Sequence, residues 1–511
     1  MSSIENMLNR ERVKLDIGCG SRKIDETFIG IDKQSLPGVD LVVNLEQGSL
    51  PLPTNSVDEI MASHVLEHVN NYLPLVEELW RIMKPGAMLT VKVPNYRHES
   101  AYTDPTHVRF FTPKSFNFFD KSKVLFKETG WYLSYARFNI VNREETEREI
   151  VYQLQTQKNR VLFVAPPDSI HTIRWFDSLS SYGYNIDVAS RKIKGIANIA
   201  IGDTDNLDRV ERFNNVPQNM LNALNGKNYD VVHAHFATCY GHALTVISKN
   251  TKKVLSVWGE DVLDESLRNP LLKERLLQSL QVSDHITTTS EHMQNTLIKI
   301  YSVPKQKIWI IPWGYKTMFK KKYVDEETYT KFGLSSTSPV ITSGRICREQ
   351  NNIENIVDAF MDANLNAQLL VLTGKIADSS YVNKLKNKTH ADARIKYLDT
   401  VNEKDLVEIY NLSEAIISIP YVDQLSTTML EALACGTPII CTNIPVYHER
   451  ITSEKNGLFV DPDDIIQIKD AIKYFANKTI KESMSDYARE SVIRDSWENN
   501  VKKLMSVYDA P

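Results

Sequence analysis

The chain has 511 residues, 42% of them apolar and 24% charged, with a formal net charge of −4. That length suits three or four domain-sized units, the composition suits a soluble globular protein, and the charge excludes a global pull toward nucleic acid or anionic membrane. Five scattered cysteines with no CxxC pair exclude a disulfide framework or zinc ribbon and fit a reducing compartment.

In chain order, strand-like apolar runs alternate with helical stretches, which predicts α/β units built on parallel sheets. The first run, VKLDIGCGSRK (13–23), ends a strand at Asp16 and follows it with Gly18 and Gly20, which let a backbone approach a ligand closely. A second strand, FIGID, ends in Asp32, where an acid can take a ribose diol. These residues alone leave NAD, FAD and S-adenosylmethionine open. The stretch 142–158, charged and without Gly or Pro, predicts a helical connector after a first domain at 1–141. A fresh strand at Val161 opens a second series (159–320), and VITSG after Pro339 a third (321–490). In 491–511, Trp497, Val501, Leu504 and Val507 at helical spacing give an apolar face that needs a partner. No apolar signal core opens the chain and no apolar run approaches the roughly 18 residues of a membrane span. The expected location is cytoplasmic, with peripheral membrane contact open; the lysines Lys316, Lys320, Lys321 and Lys322 read best as a solvated crossover. Oligomeric state is not legible.

The most informative pair is Asp423 and Glu431, in PYVDQLSTTMLEALACGTPII. A strand runs into a Pro-Tyr turn, Asp423 lies in a short loop, a helix starts near Ser426–Thr428, and Glu431 falls about one turn in. A helix start suits a phosphate, and a carboxylate one turn in can accept two bonds from a ribose diol.

The pieces LDIGCG, VVNLEQGSLPLPTNSVDEIMASHVLEHV (42–69) and ELWRIMKPGAMLTVKVPN (78–95) resemble class I S-adenosylmethionine-dependent methyltransferases over about 13–140. The resemblance implies that Asp16, Gly18 and Gly20 flank the methionine part, Asp32 the ribose, Asn44 and Leu45 the adenine edge, and His64 the methionine moiety. Arg22 stands where the family has a third loop glycine, and Asn44 where an acid is usual. His107, in YTDPTHVRFFTPKSF (102–116), is placed to act as a general base on an acceptor hydroxyl, since its ordinary pKa is near neutral. A hydrogen-bonded turn histidine is the competing reading. No dense carboxylate or histidine cluster is legible, so no metal is expected.

From 159 to 511 the chain resembles retaining GT-B glycosyltransferases of the family 4 type, in ordered pieces that include YDVVHAHFATCYGHAL (229–244), VLSVWGEDV (254–262), ITSGRICREQNNIENIVDAF (341–360) and the segment 401–440. Asp423 matches the first acid of the family's acid-x7-acid motif, as Asp where Glu is commoner, and would meet a sugar hydroxyl. Glu431 matches the second and would hold the ribose. Leu425, Ser426 and Thr427 would offer groups to the sugar and diphosphate. Arg345 matches the phosphate arginine; Gln350 replaces its partner lysine, so Arg348 or Lys375 is expected to compensate. On the acceptor side, Trp258 stands where many members carry a histidine, Asp261 keeps the following acid, and His233 and His235 share one strand face as candidates for the acceptor cleft, with a ring bonded to backbone at a strand end as the competing reading. His171 and Arg174 are weaker acceptor-phosphate candidates. No DxD ends a strand; the pair Asp203 and Asp205 lies in a polar loop.

The resemblances together imply an α/β chain of three Rossmann-like doubly wound units, one methyltransferase-like and two forming a GT-B glycosyltransferase, with the 491–511 helix crossing back to the first GT-B half. The implied activity is bifunctional: retaining transfer from a nucleotide-diphosphate sugar to a glycan or lipid-linked saccharide, and S-adenosyl-L-methionine-dependent O-methylation of that glycan. The alternative is a first domain that only positions the acceptor or assembles a complex. Neither needs nucleic acid.

Overall fold

The computed structural model describes residues 8–202, 211–265, 268–375 and 377–510; Asp203 and Asp205 lie outside them. The chain divides into two compact units, residues 1–255, 274–284 and 502–511, and residues 256–273 and 285–501. No helix among the described residues is long and apolar enough to cross a membrane.

The first unit opens with β1 (Lys14–Ile17), β2 (Phe28–Asp32), β3 (Leu41–Val42), β4 (Val57–Ser63), β5 (Met83–Pro94), β6 (Phe138–Glu145) and β7 (Glu149–Thr156), in sheet order β3-β2-β1-β4-β5-β7-β6. β1 to β5 are parallel, and β7 is antiparallel to both its neighbours. Leu15, Ile17, Leu89, Val91 and Val93 are fully buried, as are Leu75, Val76 and Leu79 of α1 (Tyr72–Ile82), whose apolar stripe has the spacing of a sheet-covering helix. The strand order reverses between β1 and β4, and in open α/β sheets ligands bind outside the carboxyl ends of strands at such a switch.

The hairpin β6–β7 corrects the helical connector expected over 142–158. Ile150, Tyr152 and Leu154 are fully buried at alternate positions, the period of a strand rather than a helix. β6 is the sheet edge and exposes Val141 through Glu145; charge there discourages pairing with another edge.

β8 (Arg160–Val164), β9 (Asn185–Ser190), β10 (Ile199–Ala200), β11 (Val231–His235) and β12 (Lys252–Ser256) follow, in order β10-β9-β8-β11-β12. α2 (Ile170–Ser181) lies between β8 and β9 and is capped by Ser169, whose side chain accepts from His171 N. Trp80 of α1 is buried, donates from Nε1 to Gln157 O (2.9 Å), and its ring lies 6.0 Å from that of Tyr184.

The second unit holds β13 (His285–Thr288) paired with β14 (Ile308–Ile310), and a six-stranded parallel sheet. That sheet has the order β17-β16-β15-β18-β19-β20, from β15 (Val340–Ser343), β16 (Gln368–Leu372), β17 (Ile395–Leu398), β18 (Ala415–Ser418), β19 (Ile439–Thr442) and β20 (Gly457–Val460). Neighbouring positions of β15 face opposite cores: Val340 packs with Met429, Leu430 and Leu433 of α4 (Thr427–Ala434), and Ile341 with Ile356, Val357 and Phe360 of α3 (Ile353–Ala363). The switch point falls between β15 and β18. In α5 (Trp497–Asp509) the division between the units falls after Val501.

Candidate functional site

Two sites lie at sheet switch points, one in each unit. In the first unit, a cavity of about 370 Å³ is lined by Gly18, Asp32, Asn44, Leu45 and His64, joined by Lys33, Glu46, Val65, His68, Val69 and Thr106. That volume is within the usual range for small-molecule sites. Gly18 has φ +68°, and a Cβ there would lie 2.4 Å from Val65 Cγ2, so only glycine closes the loop this tightly. Asp32 is held by two backbone donors, Gly20 N (3.0 Å) and Gln34 N (3.0 Å). Asp16 is buried and accepts from Ile24 N (2.8 Å); burial pushes its carboxyl up, against that backbone bond. Asp16 and Gly20 therefore shape the loop rather than line the cavity. Asn44 Oδ1 accepts from Glu46 N (3.1 Å), and Glu46 holds Asn70 N and Asn71 N (2.9 and 3.0 Å), which keeps its carboxyl below the usual range.

His64 stands at φ +50° with Nε2 2.8 Å from Glu149 Oε1 and Nδ1 3.3 Å from Glu67 Oε1. Glu67 first, then Glu149, raise its pKa against the opposing effect of burial. A raised histidine stabilises the fold below its unfolded pKa of about 6.5, and that contribution fades as pH rises through the folded value. We therefore expect His64→Gln to lower the thermal midpoint more at about pH 6 than at about pH 9.

His107 does not line the cavity. Its Nδ1 bonds to Ala101 O (2.9 Å) and its ring meets that of His68 edge-on at 4.7 Å. The structure thus gives His107 the hydrogen bond of a turn histidine while leaving its second nitrogen beside a pocket residue.

In the second unit, Arg345 follows β15 and Asp423 follows β18. Asp423 Oδ2 accepts from Arg345 Nη1 (2.9 Å) and Tyr447 Oη (2.7 Å), and its Oδ1 from Gln424 N (2.9 Å). Arg345 Nη1 also reaches Ser426 Oγ (2.9 Å). Ser426 is the N-cap of α4, yet its side chain makes no capping bond. It is engaged by the arginine instead, which leaves the start of α4 without a side-chain cap beside a guanidinium, an arrangement suited to phosphate. A Cβ on Gly344 would lie 2.7 Å from Thr428 Cγ2, so the Arg345 loop can approach α4 this closely only with glycine. Glu431 is the fifth residue of α4 and half-buried. Leu425 is a core residue by its side chain and can offer only backbone.

Arg348 and Lys375 sit on adjoining loops: Cys347 N donates to Thr373 O (2.8 Å), and Asp378 N to Cys347 O (3.0 Å). Arg348 is also close enough to Asp378 to help lower its carboxyl, after the bonds from Ser380 and Tyr381. Gln350 and Lys375 are exposed.

The residues expected on the acceptor side separate. Asp261 is fully buried and its Oδ1 accepts from Trp258 N (3.0 Å) and Gly259 N (2.9 Å), so it fixes the turn. Gly259 packs on Gln424, where a Cβ would lie 2.8 Å away, and this places the Trp258 turn against the Asp423 loop. His233 and His235 do share a face, with rings stacked at 4.2 Å, but both are fully buried, and His233 Nδ1 bonds to Tyr508 Oη (2.8 Å). Burial holds both below the ordinary histidine range, and they are core groups rather than acceptor contacts. His171 is half-buried, its pKa lowered to about 4 by burial and then by Arg174. Tyr447 escaped the sequence reading because only the fold brings it to Asp423.

Comparison with known proteins finds matches to three family models. Residues 325–491 match the family model for glycosyl transferases group 1, residues 160–290 that for glycosyl transferase 4-like proteins, and residues 21–91 that for a methyltransferase domain. The N-acetyl-alpha-D-glucosaminyl L-malate synthase of Bacillus anthracis is 23% identical over 299 residues, which cover 55% of this chain and 74% of that protein. The O-antigen chain mannosyltransferase RfbU of Salmonella typhimurium is 22% identical over 247 residues, 46% of this chain and 66% of that protein. The crystal structure of a glycosyltransferase from Rickettsia africae ESF-5 aligns with a TM-score of 0.57 at 17% identity, covering 69% of this chain and 98% of that one. The chain is a fusion of a methyltransferase-like domain with the domains of a GT-B glycosyltransferase of the group 1, 4-like kind.

Proposed function

We propose that the chain transfers a sugar, with retention, from a nucleotide-diphosphate donor to a glycan or lipid-linked saccharide, and O-methylates that glycan with S-adenosylmethionine. The observation that carries the first half is the Arg345–Asp423–Ser426 cluster at the uncapped start of α4. Arg345 and the α4 amides offset the charge that develops on the leaving diphosphate, and Arg348 and Lys375 add charge from neighbouring loops. Asp423 holds Arg345 in place and can accept a sugar hydroxyl on the same carboxylate. Glu431, one turn into α4, takes the ribose. Glu431→Ala is expected to weaken nucleoside diphosphate binding by about 10–100-fold, the worth of hydrogen bonds to a charged group. Unchanged affinity in calorimetry would remove the ribose assignment. A screen of nucleotide-diphosphate sugars for turnover names the donor. The O-antigen enzyme among the relatives supports a polysaccharide acceptor.

The second half rests on the cavity that gathers Gly18, Asp32, Asn44, Leu45 and His64. S-adenosylmethionine supplies an electrophilic methyl group when bound. The chain's part is to hold its ribose on the pre-oriented Asp32 carboxylate and its adenine beside Asn44 and Leu45. Joining the two activities in one chain raises the effective concentration of the shared glycan. Calorimetry on the full chain should detect S-adenosylmethionine binding that Asp32→Ala abolishes. No binding by the unaltered chain would leave the first domain a positioning module. A fragment ending at 150 is unsuitable, because it would remove most of β7 from between β5 and β6.

A further inference from the structure

Glu67 is 1% exposed, and neither of its carboxylate oxygens accepts a hydrogen bond. A buried carboxylate in that state is costly unless a cation compensates it. Around it the fold gathers imidazoles. Glu67 Oε1 lies 3.3 Å from His64 Nδ1, an ion-pair distance without hydrogen-bond geometry. Ligand atoms of Glu67, His68 and His107 all lie within 4.8 Å of one another.

The arrangement is held from behind. Glu67 O accepts from both Val108 N (2.9 Å) and Arg109 N (3.2 Å), which ties the 102–116 segment to the turn after β4. His107 Nδ1 is used by Ala101 O (2.9 Å), and His68 Nδ1 by Thr106 Oγ1 (2.9 Å). In each ring the remaining nitrogen is Nε2. A hydrogen bond on one imidazole nitrogen that orients the other is the support metal-binding histidines ordinarily have.

We propose that Glu67, His68 and His107 bind a divalent transition-metal ion of the zinc type at the edge of the first unit's cavity. Two imidazoles and one carboxylate suit such an ion better than magnesium or calcium, which prefer all-oxygen shells. Zinc bonds of about 2.1 Å place tetrahedral ligands ~3.4 Å apart, so small side-chain rotations close the present spacing. Three protein ligands leave a fourth position open, and His68 and Thr106 place that position at the cavity wall. An oxygen of the molecule to be methylated could occupy it. That last role rests on the methyl-transfer reading; metal binding does not.

The test uses the full chain, stripped with a chelator, loaded with Zn²⁺ alone, passed through gel filtration and analysed for metal. About one Zn²⁺ per chain is expected to remain. His107→Gln and Glu67→Gln should each weaken retention by more than about 100-fold, with the melting curve of His107→Gln little changed. His68→Gln is the second variant should Glu67→Gln fail to fold. Absence of retained zinc in the unaltered chain would overturn the proposal and leave a protonated His64 as the partner of Glu67. Zinc retained equally by all three variants would place the metal elsewhere and overturn it too. S-adenosylmethionine binding, measured separately, fails or succeeds independently of either result.

Discussion

Arg345→Ala is expected to lower the rate of sugar transfer by about 10²–10³-fold in kcat, roughly 2.7–4 kcal/mol of transition-state stabilisation, while the fold survives. The guanidinium is one-fifth exposed and bonds Ser426 at the uncapped start of α4. Its removal leaves Asp423 bonded to Tyr447 Oη and Gln424 N, so no buried carboxylate is orphaned and the stability cost stays small. Arg345→Lys should recover only part of the rate, since an ammonium cannot hold Asp423 and Ser426 while presenting a planar fork to a diphosphate. Initial rates at saturating donor, with melting curves of the same proteins, check this. A rate within about threefold of the unaltered enzyme would mean that the diphosphate is offset elsewhere, with Arg348 the first place to look.

What the sequence made legible follows from how local each signal is. The loop after β1 carries Gly18, β2 ends in Asp32 and the loop after β18 carries Asp423, so these three could be placed from strand-end pattern, whereas Arg345 was identified through the family resemblance. The contacts between them could not. Tyr447 is 24 positions beyond Asp423, and the 2.7 Å bond between them exists only because β19 returns the chain to that point. The Glu67, His68 and His107 grouping has the same character: two neighbours in sequence and a third delivered by backbone bonds to Glu67 O.

The misread segment at 142–158 shows the opposite failure. Its alternation of Ile150, Tyr152 and Leu154 was present in the sequence, but the part of β6 that falls in it, 142–145, is exposed and polar, with no apolar face to reveal a strand. His233 and His235 fit the expected shared face, yet one neighbour that buries them, Tyr508, comes from the far end of the chain.

Asp509→Ala is expected to be the most destabilising single change in the first unit. At the end of α5, the Asp509 side chain has no exposure, and it accepts from Arg137 Nε (3.0 Å), Lys121 Nζ (2.6 Å) and Asn159 Nδ2 (3.3 Å). Arg137 is itself 3% exposed, donates its other groups to the carbonyls of Ser134, Ala136 and Trp131, and lies over the Phe126 ring. Alanine would leave that charge buried without a counter-charge, at a cost of about 3–5 kcal/mol. Asp509→Leu combined with Arg137→Met should cost less than Asp509→Ala alone, because it removes both charges while keeping volume. The dependence on pH has a definite sign. Burial alone would raise the Asp509 carboxyl, but Arg137, Lys121 and its hydrogen bonds outweigh it and hold the pKa below the ordinary 3.8. A depressed carboxyl contributes stability that is present above its unfolded pKa and lost as pH falls through the folded value. The gap in unfolding midpoint between the unaltered chain and Asp509→Asn should therefore be full above about pH 5 and close as pH drops through the folded pKa. A gap that persists unchanged to the lowest pH at which the fold survives would mean that Asp509 acts by shape and hydrogen bonding rather than by charge.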